Sequence, residues 1–267
     1  MKSVPYILCG FFLALNTLIP QVAQAAADPR AIMQQVHDRD DGDNLSCNME
    51  MILIDRDGGE RVRRLRQFAK DKGEDTLGLM YFLYPADVER TGFLSWDYDD
   101  SNRDDDQWLY LPALHKTKRI ASSDKSGSFM GSDLSYADLT KSNPNDYDYT
   151  LKKEMELGGH KIWVIESLPR TRKTLDETGY KKSLLLVRQD NYVVVRSVGW
   201  LKNGDLKYVD MTSLELIDGI WVGTEMHVVT KRNKEIRHQT ILRLSDVKFN
   251  QPLTEEFFSV RKLEKGL

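Results

Sequence analysis

Residues Asp105-Asp-Gln-Trp-Leu-Tyr-Leu-Pro-Ala-Leu114, followed after a basic segment by Gly127-Ser-Phe-Met-Gly131-Ser-Asp-Leu-Ser-Tyr-Ala-Asp-Leu139, decide how the chain is read. The first part alternates aromatic and aliphatic side chains over Gln107 to Leu111 and stops at Pro112, the pattern of a short strand ended by a residue that cannot donate to a ladder. The second part is a Gly-flanked Phe129-Met130, with a short helical stretch expected over Tyr136 to Leu139. Nothing in either part has the spacing of catalytic machinery.

Outward from this stretch, the chain reads as a succession of strands. Met49 to Ile54 leads through Asp57-Gly58 into Glu60 to Ala69, a strong hairpin signal. Thr76 to Tyr84, Gly92 to Asp100 and Gln107 to Leu111 follow. Then come Asp148 to Leu157, Lys161 to Leu168, Ser183 to Arg188, Tyr192 to Leu201, Leu206 to Ile217, Trp221 to Lys231 and Glu235 to Asn250. Gly158-Gly159, Asn203-Gly204 and Asp218-Gly219 mark tight connections. About eleven strands at this regular spacing form an antiparallel meander, too many for a flat open sheet. Helix is expected only at Asp28 to His37, Tyr136 to Leu139 and Thr254 to Phe258. No repeat, linker or low-complexity segment divides residues 26–267, so they form one domain.

The N-terminus gives the compartment. Lys2, the apolar run Ile7 to Leu18 and the small-x-small site Ala23-Gln24-Ala25 form a secretory signal pattern, with cleavage after Ala25 and Ala27 as the alternative. Cys9 precedes most of the apolar core, which argues against a lipidated anchor. Beyond the leader only Cys47 remains, so no disulfide framework holds the exported chain. With 38 Lys and Arg against 41 Asp and Glu, the charge is nearly balanced, which argues against nucleic acid as a main partner.

The stretch resembles the outer-membrane lipoprotein-sorting family, the relatives of the periplasmic carrier LolA. The matching elements are Gln107-Trp-Leu-Tyr-Leu-Pro112, Arg119-Ile-Ala121 and Phe129-Met-Gly-Ser-Asp133 with Tyr136 and Asp138-Leu139. The Asp57-Gly58 hairpin, Pro85-Ala-Asp87 and Gly92-Phe-Leu94 extend the match. The resemblance implies a mainly β fold: a single antiparallel unclosed β-barrel with a small helical lid over a hydrophobic cavity that takes lipid or acylated-protein cargo across the periplasm. It also implies an inner-membrane transporter of the resistance-nodulation-division type, or a lipoprotein-release machinery, as partner. Membrane contact is then peripheral only. Two departures stand out: the chain is longer than the compact LolA carriers, and its first helix is short with an acidic exit.

Strand alternation supplies candidate cavity residues. Leu77, Leu79, Tyr81 and Leu83 share one face of a strand whose other face carries Met80, Phe82 and Tyr84. Trp108 and Tyr110 share another strand face. Val222, Met226 and Val228 oppose Glu225 and His227, and Phe129 with Met130 belongs to the lid or rim. The alternative is a closed core, in which the same side chains only pack. The basic residues Lys116, Lys118 and Arg119 suit docking to anionic head groups or to an acidic partner, or else a solvated strand face. The resemblance implies an inward arginine that bonds lid carbonyls; Arg61, Arg63, Arg64 and Arg66 are candidates among which the sequence does not choose.

No catalytic residues, cofactor or metal ligands are assigned. Ser122-Ser-Asp-Lys125 fits Ser-x-x-Lys without its companion motifs. The five histidines lack metal-ligand spacing, although His227 and His238 could meet across a hairpin. The acidic loop Asp97 to Asp106 lacks the spacing of a calcium loop and reads as a solvated turn.

Overall fold

Turn chemistry sets the strand boundaries. In the first hairpin the Asp55 carboxylate accepts the Asp57 and Gly59 amides at 3.0 and 2.8 Å, and Gly58 takes the left-handed φ of +85° that its position requires. A computed structural model describes residues 27–267; the leader expected over residues 1–25 lies outside the described residues.

A helix, α1 (Pro29–His37), opens the described chain. It is capped by Asp28 and has Pro29 in its first turn. Six strands follow: β1 (Asn44–Ile54), β2 (Glu60–Lys72), β3 (Asp75–Tyr84), β4 (Gly92–Asp97), β5 (Asp106–Leu111) and β6 (Lys116–Arg119). Residues 120–146 then run without a strand, through short 3-10 turns. The second series is β7 (Tyr147–Leu157), β8 (His160–Pro169), α2 (Arg172–Thr178), β9 (Tyr180–Arg188), β10 (Val194–Leu201), β11 (Leu206–Ile217), β12 (Ile220–Arg232) and β13 (Glu235–Phe249). A 3-10 turn and α3 (Val260–Lys265) complete the chain.

The strands form one thirteen-stranded antiparallel sheet, where the sequence had suggested about eleven. Its order is β6-β5-β4-β3-β2-β1-β13-β12-β11-β10-β9-β8-β7, so β1 and β13 pair at the centre and β6 and β7 are the free edges. The barrel is therefore not closed. Three elements were not expected, α3 among them, because the helix read over Thr254 to Phe258 is only a 3-10 turn and α3 begins after it. Strand β6 is almost wholly charged, and α2 is a polar helix held by the Thr171 cap and ended at Gly179, φ +79°.

The sheet is nonetheless strongly curled. The Tyr136 ring lies 5.9 Å from that of Phe93 on β4, while Asp138, two residues on, accepts the Tyr180 hydroxyl of β9 at 2.8 Å. Those strands hold the third and eleventh places in the order, about 38 Å apart in a flat sheet. Only a curled sheet brings both within reach of one short segment.

Register shows which side chains share the concave face. One row crosses Leu53, Thr240, Val228, Val209, Ser197, Leu185 and Ile165; another crosses Gln67, Met80, Phe93 and Leu109. Residues 120–146 cover the half of this face made by β1–β5, β12 and β13, burying Phe129 between Phe82 and Phe93. Helix α1 covers the other half, with Ile32 and Met33 against Ile165 and Val187. The convex face of β3–β5 is covered separately by the C-terminal segment, through Phe258 and Leu263.

Candidate ligand-binding cavity

The concave face is not fully packed. Between α1, residues 134–144 and strands β7–β12 lies a cavity of about 480 Å³, with a lining more apolar than polar. Its cause is visible in one register row: Lys207, Gly199, Ser183, Ser167 and Tyr149 lie side by side from β11 to β7. Three consecutive small residues leave a trough where the adjacent row carries Val209, Leu185 and Ile165. Met33 and Val36 of α1 roof it, and Leu134, Leu185, Val194, Val209 and Met226 supply apolar wall.

The most deeply buried charges in this wall are paired. Lys207 Nζ lies 2.6 Å from Asp138 Oδ2, and both side chains are buried, at 6% and 16% exposure. Asp138 also accepts the Tyr180 hydroxyl at 2.8 Å and the Ser135 amide at 2.7 Å. Burial first, and the Asp138 charge second, push the Tyr180 hydroxyl well above its ordinary pKa, so it stays protonated and donates. The Tyr180 ring lies over Gly199, where any Cβ would collide with it. Burial likewise pushes Tyr147 up to about 12.

The segment that roofs the concave face is clasped to the sheet by polar groups. Arg63 Nη1 of β2 donates to the Met130 carbonyl, and its guanidinium sits 5.8 Å from the Phe82 ring centroid. Of the four arginines in the alternating run, Arg63 is thus the one that bonds a carbonyl of the covering segment. Arg66 instead meets Asn48, Ser46 and Asp246, and Arg64 lies over Tyr84. A second clasp is Asp133, whose carboxylate accepts Thr240 Oγ1 at 2.8 Å and bonds His238 Nδ1 at 2.6 Å. Gln107 Nε2 donates to the Tyr136 carbonyl at 3.0 Å.

The residues singled out from the sequence fall into separate places. Met226 lines the cavity, Val228 is buried in the neighbouring core, and Val222 is half-buried on β12. Phe129 is fully buried and Met130 half-buried, both in the covering segment. Leu77, Leu79, Tyr81, Trp108 and Tyr110 lie on the convex face beneath the C-terminal segment, so they do not line this cavity. There Tyr81 donates to the Lys262 carbonyl at 2.6 Å, and Trp96 donates to the Phe258 carbonyl at 2.9 Å. Leu83 is 46% exposed at the end of β3. Alternation separates the two faces of a strand without saying which is concave, and here Met80 and Phe82 face inward.

The basic residues form edge strand β6. Arg119 is paired with Asp106, and Lys118 lies 3.5 Å from Asp124, while Lys116 is exposed. Charges on a free edge also deter pairing with another sheet. The remaining motifs resolve locally. Ser122 donates to Asp104 while Lys125 lies against Asp105, so separate carboxylates engage the two ends of the Ser-x-x-Lys. His227 and His238 do not meet: His227 turns to Glu225 and His238 to Asp133. The acidic loop caps itself, Asp105 accepting the Tyr98 amide and Asp100 the Asn102 amide.

Sequence reasoning missed Lys207, Tyr180, Ser167 and Ser183. Lys207 had a signal: it shares strand parity with the inward Val209, and a lysine on an apolar strand face is out of place. Tyr180 and the serines had none, because small polar residues are common on solvated faces as well.

A curled, unclosed antiparallel sheet with a covered concave face is the architecture of the LolA superfamily. A member from Nitrosomonas europaea superposes with a TM-score of 0.68 at 19% identity, over 89% of this chain and 100% of that one. A DUF1329 family protein from Desulfovibrio piger matches at 30% identity and TM-score 0.80, over 89% of this chain and all of that one. An outer membrane lipoprotein-sorting protein domain from Vibrio parahaemolyticus matches at 30% identity and TM-score 0.80, over 88% and 98%. A family model described as "Uncharacterized protein" covers residues 74–265. No curated protein matches the chain. The chain belongs to the DUF1329 family, within the LolA-like outer-membrane lipoprotein-sorting group.

Proposed function

We propose that the protein is a periplasmic carrier that takes acyl chains of a lipid or lipoprotein into the concave face and moves them between the inner and outer membranes. The observation that carries this reading is the cavity of about 480 Å³ in an unclosed half-barrel, roofed by α1 and by a segment held through a few polar clasps. Each square ångström of apolar cargo surface withdrawn from water contributes about 25 cal/mol, so an alkyl chain binds without any dedicated polar contact. Release then needs the roof to move. Arg63 is the natural latch, because it bonds the Met130 backbone and its own solvation is poor: burial, then the neighbouring Arg61, lowers its pKa.

An inner-membrane transporter of the resistance-nodulation-division type, or a lipoprotein-release machinery, would load such a carrier. Lys116, Lys118 and Arg119 on the free edge offer that partner, or anionic head groups, a cationic strip. Of these three Lys116 is the freest to engage, since Arg119 and Lys118 already have carboxylates beside them. Native mass spectrometry of the protein released gently from its own periplasm tests the proposal. A lipid or acyl adduct is the expected result. A clean unliganded mass would overturn carriage and favour a scaffold for the exporter, with the cavity an unfilled part of the core.

A further inference from the structure

The buried Lys207–Asp138–Tyr180 cluster faces a cavity whose other lining is apolar or hydroxyl-bearing, except for the ionisable His37, Arg39, Asp41 and Lys141 toward its α1 end. Stability alone is a weak reason to bury an ion pair there. A buried ion pair repays little more than its own desolvation, and hydrophobic replacements of similar volume are often as stable. Its groups are also unequally used. The Asp138 carboxylate is occupied by Lys207, Tyr180 and the Ser135 amide. The Lys207 ammonium has three donors, of which Asp138 takes one. Lys207 and the small residues Gly199, Ser183 and Ser167 lie in one row across the cavity floor. The cluster thus presents donors to the cavity with its charge already balanced.

We propose that Lys207 is the head-group anchor of this cavity, and that it selects an uncharged, single-chain amphiphile whose head offers a carbonyl or hydroxyl oxygen. The proposal rests on the carrier reading and specifies its cargo. Two quantities decide the class. A volume of about 480 Å³ suits one ligand of drug-like size rather than several acyl chains together. An oxygen within hydrogen-bond reach of Lys207 also lies about 5 Å from the Asp138 carboxylate. A buried phosphate or carboxylate there would leave one negative charge uncompensated beside an already neutral pair, which is costly, whereas a neutral acceptor adds none. The hydroxyls of Ser167 and Ser183 beside the cluster suit the same neutral head. Lys141 is paired with Asp41 at 2.8 Å, and the remaining lining guanidinium, Arg39, bonds the Asp40 and Trp221 carbonyls. Trp221 lies nine residues along β12 from Thr230, the ladder partner of Lys207, so Arg39 does not balance an anion placed at Lys207.

The test uses the full exported chain loaded with the apolar dye phenylnaphthylamine, which has no acceptor head. Displacement by monooleoylglycerol, by oleate and by dioleoylphosphatidylglycerol is then compared in the native protein and in two variants. These are Lys207→Met and the charge-free pair Lys207→Met with Asp138→Leu, the second removing the risk that an unpaired carboxylate unfolds the chain. The native protein is expected to prefer monooleoylglycerol over both anions. In the double variant the affinity for monooleoylglycerol relative to that for the dye should fall about tenfold, the size of one lost hydrogen bond to a charged donor, so that any general change in the cavity cancels in the ratio. Equal affinities for the three lipids, a preference for either anion, or an undiminished preference in the double variant would overturn the anchor while leaving the carrier intact. Failure of the native protein to bind dye at all would instead remove the carrier reading, and the anchor with it.

Discussion

At the scale of single residues, two titratable groups carry predictions about stability and reactivity. Asp97 sits at the end of β4, its carboxylate accepting the Lys141 amide at 2.6 Å. Burial first, and the Asp105 carboxylate second, push it up to about 8. A raised acid holds its proton in the folded chain between its unfolded value near 3.8 and about 8, while the unfolded chain has lost it. Its contribution to stability is therefore greatest at low pH and declines across that window. Asp97→Asn should flatten the decline and leave the variant more stable than the native protein above pH 8, by about 1 kcal/mol or more. Urea titrations at several pH values measure this, and a parallel pair of curves would refute it. Cys47 is fully buried on β1, and burial pushes its thiol up to about 11. It should resist maleimide at pH 7 in the folded protein and react at once in denaturant, as mass spectrometry would record. The sequence showed that Cys47 lacks a partner but not that it is inert, since burial depends on the curl of the whole sheet.

At the scale of elements, the sequence was most legible where turn chemistry and alternation agree. The Asp57-Gly58, Asn203-Gly204 and Asp218-Gly219 connections all fall between successive antiparallel strands. Strand β6 was hidden because Lys116-Thr-Lys-Arg119 has no apolar member, and only its ladder with β5 makes it a strand. The two faces of β3 were separable from sequence, but their assignment to concave and convex sides was not. That choice is made by the C-terminal segment, which lies nearly 200 residues further on. There Leu263 is fully buried and packs so closely on Gly92 that a Cβ at Gly92 would come within 2.6 Å of it. Phe258→Ala should cost about 3–5 kcal/mol in chemical denaturation, through lost burial and a cavity against Leu79 and Leu94. Because this cluster lies on the opposite face from the cavity, ligand affinity in the folded variant should be unchanged. A variant of native stability would mean that the segment is only loosely applied.

At the scale of the whole molecule, the free edges β6 and β7 determine how the protein can move. A closed barrel resists expansion through a continuous hydrogen-bond ladder, but here, among the described residues, no ladder joins the two edges, and residues 120–146 are the stretch of chain that runs from one to the other. That connection holds the curl through side chains: Arg63 to Met130, Asp133 to Thr240 and His238, and Asp138 to Lys207 and Tyr180. These contacts reach β2, β13, β11 and β9, so the segment ties both halves of the sheet together across its concave face. Its apolar anchor, Phe129 between Phe82 and Phe93, fastens only the β3–β4 side. Loosening the polar clasps should therefore free the 130–146 end first and leave the Phe129 end in place. Arg63→Leu combined with Asp133→Asn is expected to raise amide hydrogen exchange about tenfold or more at Asp133, Tyr136 and Leu139. Exchange in the central β1–β13 ladder should stay at its native rate, because those bonds do not depend on the clasps. Faster uptake of an apolar dye would accompany the change if the roof gates the cavity. Equal acceleration across the whole sheet would show instead that the clasps support global stability, and the half-barrel would then open only by unfolding.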